Sequence, residues 1–556
     1  MIRRKFLKNT LFTSAGILLS PAISTANGFF DVDLSTDLSV NVDGTAAGKP
    51  FKHFWSKCVG AGRANEGLRA SWLEQLALTK KDCGFQYCRF HGLLHDDMFV
   101  YKEIGGKPFY NWQYIDELFD RMLSIGVRPF VEFGFMPKDL ASDLNATQFW
   151  WKGNVSPPNN YAKWAGLVGA FTQHCIDRYG LDEVKQWYFE VWNEPNLWGF
   201  WQGTKLQYFE LYKVSVQAIK AVNKDLRVGG PATSNYVPDD RFAGEKEDKS
   251  KHKTFTVQDI DSLEWQGVWI KDFLIYCSEK NLPVDFVSTH PYPTDWALDP
   301  MTGKGGGKVR NVNATKTDLV WLKKTVASSP YPHAELHCTE WSSSPSSRDT
   351  THDSLQAATY IVKANLDGIG LVDSLSYWTF SDIFEEKGGG DAAFHGGFGM
   401  INFQGVVKPT FHAYRMLNQL GNEILHQEEG IIITRNSADG KMSVLIYHYP
   451  NERKQVVDGD IEQVLKSGSS RKFDLRLTRL KSTVDFTEEI LDADHGYALQ
   501  DWKKMGSPVS PTREQTQMLK KRALATDKRQ LKTDRSDGLI WRKTLSPWTV
   551  ILLKQA

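Results

Sequence analysis

Residues 187–195, Trp187-Tyr188-Phe189-Glu190-Val191-Trp192-Asn193-Glu194-Pro195, carry aromatic and β-branched side chains straight into a proline. Such a run suits a parallel strand buried on both faces. Proline has no N–H to continue a ladder, so the expected strand Trp187–Glu194 stops there and releases Asn193 and Glu194 at its C-terminal end. Seven more segments follow the same pattern: Phe54–Val59, Gln86–His91, Arg128–Phe135, Arg227–Pro231, Phe286–His290, Ala334–Glu340 and Ser374–Phe380. Between them lie amphipathic stretches such as Tyr161–Tyr179, Leu206–Val222 and Ser354–Leu366, the last with Asp353 as its expected N-cap. Eight strand-then-helix units between about residues 50 and 420 predict a closed (β/α)8 TIM barrel. An open doubly wound sheet is disfavoured, since no Gly-x-Gly-x-x-Gly follows the first strand.

Outside this span the pattern changes. Ile431–Thr434, Met442–Tyr449, Lys472–Thr478 and Thr549–Leu553 are short strand-like runs without intervening helices, which predicts an accessory β-sandwich in the C-terminal region. Asp31–Val42 alternates well enough to add an N-terminal strand to it, and Pro511–Lys532, polar and Lys-rich, is expected to be helix or loop. The expected division is a signal segment over 1–26, the N-terminal strand within 27–50, a catalytic barrel over 51–422 and the sandwich over 423–556.

The first residues read as an export signal. Arg3-Arg4-Lys5-Phe6-Leu7-Lys8 precedes a mildly apolar run from Leu11 to Ile23, with Ser24-Thr25-Ala26 as the cleavage site. Twin arginines followed by x-Phe-Leu-Lys resemble a Tat-type signal, which implies a periplasmic or secreted protein. No other stretch is apolar enough to span a bilayer. The 556 residues carry a formal charge of only +1, which offers no electrostatic case for nucleic acid or an anionic membrane as partner. Cys58, Cys83, Cys88, Cys175, Cys277 and Cys338 show no Cys-x-x-Cys spacing and no clustered histidines, so buried free thiols are expected rather than zinc or a disulfide framework.

Barrel active sites are built at the C-terminal strand ends, so the residues there carry the functional reading. The fourth strand ends in Asn193-Glu194 and the seventh in Thr339-Glu340-Trp341. A rim glutamate alone is more often a surface or salt-bridged residue. Two of them across a narrow mouth match what a retaining glycosidase needs: carboxyl groups about 5–5.5 Å apart, one protonated to assist the leaving group and one ionised to attack the anomeric carbon. Glu194 is therefore the expected acid/base and Glu340 the expected nucleophile, with the charge of Glu340 favouring the protonated form of Glu194. Asn193 is placed to donate to a sugar 2-hydroxyl. His91, His290 and Tyr292 supply a polar rim, and Trp378 a sugar platform. Glu132, Asp382, Glu385 and Glu386 rank below the pair, being upstream of a strand end or in loops. No metal and no organic cofactor is required, and the expected partner is a carbohydrate.

Several motifs, in order along the chain, resemble glycoside hydrolase family 39, the family of β-xylosidases and α-L-iduronidases. They are Phe51-Lys52-His53-Phe54-Trp55, Arg89-Phe90-His91-Gly92, Glu190-Val191-Trp192-Asn193-Glu194-Pro195-Asn196-Leu197-Trp198, Arg227-Val228-Gly229-Gly230-Pro231-Ala232-Thr233, Ser288-Thr289-His290, Thr339-Glu340-Trp341, Tyr377-Trp378-Thr379-Phe380-Ser381-Asp382 and Phe394-His395-Gly396-Gly397-Phe398-Gly399. The resemblance implies acid/base and nucleophile at Glu194 and Glu340, a sandwich built from both termini, and Phe398 among the substrate-binding residues. It points to the xylosidase branch, because iduronidases place a basic pair after the sixth-strand histidine where this chain has Pro291-Tyr292-Pro293. Lys304, Lys308 and Arg310 are the alternative cations nearby. Arabinosidase, β-glucosidase or iduronidase activity, or a catalytically silent carbohydrate-binding barrel, remain the alternatives to a β-xylosidase. Two stretches depart from the family: a charged segment, Asp239–Glu264, and a Gly-rich insert, Gly303–Arg310. Both leave aglycone preference open.

Overall fold

The computed structural model describes residues 37–257, 259–298, 305–450, 461–480, 485–533 and 538–556. The expected signal segment 1–26, the first part of Asp31–Val42 and Lys304 lie outside these residues. Eight parallel strands close into a barrel in sequence order: Cys58–Arg63, Tyr87–His91, Arg128–Phe133, Tyr188–Val191, Arg227–Ser234, Phe286–His290, Glu335–Trp341 and Ser374–Tyr377. The last returns to the first through Tyr377 opposite Val59. Helices such as Tyr161–Tyr179, Lys205–Val222 and Leu355–Asp367 cover the outside. No helix among the described residues is long and apolar enough to cross a membrane.

Alternation along the strands sorts the lumen into layers. Tyr87, Phe130, Tyr188 and Phe286 fill the floor together with Cys58. Phe130 stacks on Tyr188 at 4.8 Å, and His337 closes against Phe286 at 5.3 Å. Each ring of this kind contributes roughly 1.5–3 kcal/mol on full burial. Two residues further along the same strands come Arg89, Glu132, Glu190 and Thr339, a charged layer resting on an apolar plug.

Three local expectations change. Phe54–Ser56 is a 3-10 turn, and the first strand begins at Cys58 and runs through Gly60 and Gly62. Those glycines resemble a turn in sequence. A Cβ on Gly60 would lie 2.4 Å from the Trp378 ring and one on Gly62 2.3 Å from the Glu66 carboxylate, so they are strand positions stripped for close packing. Ser354, not Asp353, caps the Leu355–Asp367 helix through Gln356 N–H, while Asp353 pairs with Lys408. Pro511–Lys532 divides into a helix, Arg513–Leu524, opened by a Thr512/Gln515 capping box, and a strand, Asp527–Leu531.

The accessory region is two facing sheets. Leu38–Asp43 pairs in parallel with Arg471–Thr478, which pairs with Leu539–Leu545. A seven-stranded sheet of the strands Lys49–Pro50, Glu423–Glu428, Ile431–Arg435, Met442–His448, Thr549–Gln555, Phe486–Leu491 and Asp527–Leu531 packs against it. Val40, Val42, Leu475 and Trp541 from the first sheet share a core with Ile433, Val444, Ile446 and Ile551 from the second. All six cysteines are buried free thiols.

Candidate active site

Both carboxylates reach the mouth because their strands break alternation at the end. In the fourth strand the ladder stops at Val191, three residues earlier than expected, because Trp192 turns left-handed at φ 73° and Glu194 follows at φ 46°. Such conformations are costly for non-glycine residues and need outside support. It comes from Trp192 Nε1–H donating to Phe200 O at 2.7 Å and from Glu194 N–H donating to Ala232 O at 2.9 Å. In the seventh strand the register shifts between Cys338 and Trp341, so Thr339 and Glu340 both face inward while Trp341 packs outward against Tyr360.

An oxygen of Glu194, an oxygen of Glu340 and a ring nitrogen of His290 all lie within 4.8 Å of one another. Glu340 is held from both sides: Arg89 Nη1 donates to Oε1 at 2.8 Å and Tyr292 OH to Oε2 at 3.1 Å. His290 Nδ1 is 2.9 Å from Glu194 Oε1. Asn193 accepts from Arg89 Nη2 through Oδ1 at 2.8 Å, and its buried Nδ2 has no partner among the described residues, a donor free for a ligand. His91 binds Glu132 through Nδ1 at 2.7 Å, and its Nε2 stands 3.5 Å from Glu340 and 3.8 Å from Glu386. Trp378 lies tilted over His91 at 4.7 Å. Seven of the eight expected residues thus meet at one mouth. Phe398 stands behind it, packed on Phe384 and His352.

Arg89 is the hub of the charged layer. It donates to Glu190 at 2.5 Å and sits 3.0 Å from Glu132, in addition to its contacts with Glu340 and Asn193. Burial opposes its charge, but these carboxylates outweigh burial and raise its pKa further. For His91 too, burial opposes protonation, and Glu132 and Glu340 reverse the balance to hold it at about 9. Glu132 is pulled below the carboxylate range by His91 and Arg89, against its burial. Glu194 is raised to about 7. Burial is the main cause and the charge of Glu132 adds to it, while Ser234, His91 and Arg89 pull the other way. Burial lowers His290 to about 4, which keeps it neutral. Glu386 is raised to about 8 by burial and by the charges of Glu340 and Glu194.

One carboxyl group near neutrality beside another fixed by an arginine and a tyrosine is a glycosidase constellation. The model of glycosyl hydrolases family 39 matches residues 38–254 and 261–537. The chain belongs to glycosyl hydrolase family 39. A β-xylosidase of Geobacillus stearothermophilus is 39% identical over 489 residues, 86% of this chain and 88% of that protein. One from Caldicellulosiruptor saccharolyticus is 36% identical over 470 residues, 84% and 87% of the two chains. The crystal structure of a monomeric β-xylosidase from Caulobacter crescentus matches with a TM-score of 0.80 at 31% identity, over 93% of this chain and 99% of that one. The family match is interrupted between residues 254 and 261, inside the charged segment Asp239–Glu264.

That segment is a series of 3-10 turns closed by Arg241, which is buried between Asp239 and Asp295. Asp295 lies on the hairpin Thr294–Leu298 with Gly305–Val309, so the two departures from the family are joined. Of the rival carboxylates, Glu132 pairs with Arg89 and His91, Asp382 binds Lys408 at 2.6 Å and Glu385 binds Arg63 and Arg69, while Glu386 stands at the mouth beside His91. Arg89, Glu190 and Thr339 belong to the site although none of them is the last residue of its strand. The signal was present: a charge in mid-strand, as in Tyr188-Phe189-Glu190-Val191, must be paired once both faces are buried.

Proposed function

We propose that this family 39 glycoside hydrolase is a retaining exo-β-xylosidase, with Glu340 as nucleophile and Glu194 as general acid/base. The carrying observation is the close approach of the two carboxylates, within 4.8 Å, which suits direct attack and leaves no room for the water of an inverting mechanism at about 6.5–9.5 Å. In the first step Glu340 bonds to the anomeric carbon, the glycosidic C–O bond breaks, and the proton of Glu194 passes to the departing oxygen. In the second, Glu194 takes a proton from water, whose oxygen displaces Glu340. Arg89 and Tyr292 aim the Glu340 carboxylate, and the free Asn193 Nδ2–H is available to a 2-hydroxyl.

The choice of a neutral pentose over a uronate rests on the surroundings of His290. No cation stands in Pro291-Tyr292-Pro293 directly after it, and among the described residues Arg310 is already engaged by Asp318 at 2.8 Å and stacked on Trp265. Lys308 reaches Thr254 O. The names of the relatives, β-xylosidases along most of their length, favour the same substrate. Turnover of an aryl β-xyloside well above that of the matching α-L-iduronide and β-glucoside is expected; preference for either of the others overturns the substrate assignment. Azide should rescue Glu194→Ala and yield the β-glycosyl azide, whereas an α-azide would reverse the roles of the two glutamates. The Arg3-Arg4 segment supports export to the periplasm or beyond, and retention of the protein in the cytoplasm of its host cells would refute that.

A further inference from the structure

The contact between Glu194 and His290 belongs to a longer chain of hydrogen bonds, and the direction of each bond can be worked out from what its atoms are able to do. Arg89 Nε–H donates to Glu190 Oε2, so Glu190 is an ionised acceptor. Its other oxygen, Oε1, is 2.8 Å from Thr339 Oγ1, and a carboxylate only accepts, so the single hydroxyl hydrogen of Thr339 points at Glu190. Thr339 Oγ1 must then accept from His290 Nε2 at 3.1 Å, which puts the ring hydrogen on Nε2. The remaining nitrogen, Nδ1, presents a lone pair to Glu194 Oε1 at 2.9 Å. A hydrogen bond across that gap requires a proton on Glu194. The ionised carboxylate would instead face the lone pair directly.

We propose that Thr339 and Glu190 are positioning residues that fix the tautomer of His290 and so hold Glu194 in its acid form. The inference rests on the reading of Glu194 as the acid/base. Burial keeps the His290 ring neutral, which removes the option of a second ring hydrogen. The other groups facing this contact are Arg89 and His91 on the second strand, Glu132 on the third, the Ser234 hydroxyl on the fifth, Tyr292 after the sixth, Glu386 after the eighth and Glu340 on the seventh, whose Oε2 is 3.7 Å from Nδ1. Arg89 and His91 disfavour a charged His290, while Glu340 and Glu190 favour one. Once Glu194 has given its proton to the leaving oxygen, its carboxylate faces the bare Nδ1. That repulsion makes it a better base toward the incoming water.

Thr339→Val keeps the shape and removes the hydroxyl. The ring is then free to place its hydrogen on Nδ1 and donate to Glu194, which favours the ionised form. The alkaline limb of kcat/KM should move down by about one pH unit. Near pH 7, kcat/KM for xylobiose should fall about fivefold, while a dinitrophenyl xyloside, whose leaving group needs no acid, is nearly unaffected. Thr339→Ser should restore both. Glu190→Gln gives an independent handle: its amide oxygen accepts from Arg89, its NH2 donates to Thr339, and the tautomer reverses. Ring 15N shifts of His290, assigned by the signals lost in His290→Ala, report this without any turnover. Equal losses on both substrates with an unmoved alkaline limb, or unchanged ring nitrogens in Thr339→Val and Glu190→Gln, overturn the proposal. A wild-type protein inactive on both substrates would instead refute the xylosidase reading, leaving the nitrogen shifts to judge the tautomer.

Discussion

Of the arginines buried among carboxylates in the described residues, Arg89 and Arg241 do different work. Arg89 meets Glu132, Glu190 and Glu340, brought from three other barrel strands, the farthest 251 residues away. Arg241 meets Asp239, two residues away, and Asp295 on a neighbouring hairpin. The first centre has three carboxylates for one guanidinium, so negative charge is left over at an open mouth, where it holds His91 protonated. At the second centre two nearby acids close a loop. Partners drawn from several barrel strands let a buried charge set the protonation of an active site, whereas partners within the inserts let it fix the path of the chain. In both, taking ions out of water is expensive, and removing one member costs far more than the pair is worth.

The largest effect should come from the surplus carboxylate itself. Glu340→Gln is nearly isosteric and keeps an acceptor for Arg89, so the fold should persist while turnover of an aryl xyloside falls about 10⁴-fold or more. A variant with wild-type rates would remove Glu340 from the chemistry and reduce the Arg89 centre to architecture. Next comes Arg89→Met, which strands three buried carboxylates. A loss of about 3–5 kcal/mol in denaturant unfolding is expected, together with loss of turnover. If stability were unchanged, the contrast with Arg241 would lose its basis, since the charges would have to be compensated elsewhere.

The barrel was legible because its strands are buried on both faces and show as mainly apolar runs, and the two glutamates because strand ends in such a barrel are where chemistry is placed. Less legible was what the lumen does to strand boundaries. Gly60 and Gly62 mimic a turn, yet they are strand residues that admit the Trp378 ring and the Glu66 carboxylate. The bulge beside Glu340 and the left-handed Trp192 leave no mark in composition, since both are imposed by packing across the mouth. Arg89 was hidden for a related reason. On one strand it is a lone charge, and its meaning appears only when three other strands bring Glu132, Glu190 and Glu340 around it.

The surplus charge at the mouth also predicts a pH signature. With Glu194 raised to about 7, kcat/KM should fall above that pH as the acid form is lost. Stability should depend on pH through His91, whose folded pKa of about 9 exceeds the unfolded value of about 6.5. Its contribution is complete below the unfolded value and is lost as pH rises through 9. Melting temperature should therefore decline over that window, and His91→Gln should flatten the decline. An equally steep decline in the variant would place the titration elsewhere.

The smallest effect is expected at the second arginine, and it tests the other half of the contrast. Arg241→Met leaves Asp239 and Asp295 unpaired, but both sit in segments able to open without the barrel, so the loop can release the strain by local unfolding. Global stability should fall by only about 1–3 kcal/mol, less than for Arg89→Met, and kcat on an aryl xyloside should stay within about twofold. Proteolysis between Glu245 and Lys253 should accelerate, because Lys253 N–H loses the ordered Asp239 carboxylate that accepts from it and Asp248 N–H loses the fixed Arg241 carbonyl. A loss of turnover as deep as that of Arg89→Met would mean that the clamp transmits to Glu194. The route is available, since the Glu245 carbonyl and carboxylate of the insert accept from Lys205 N–H and Leu206 N–H at the start of the Lys205–Val222 helix, the next helix after the acid/base turn.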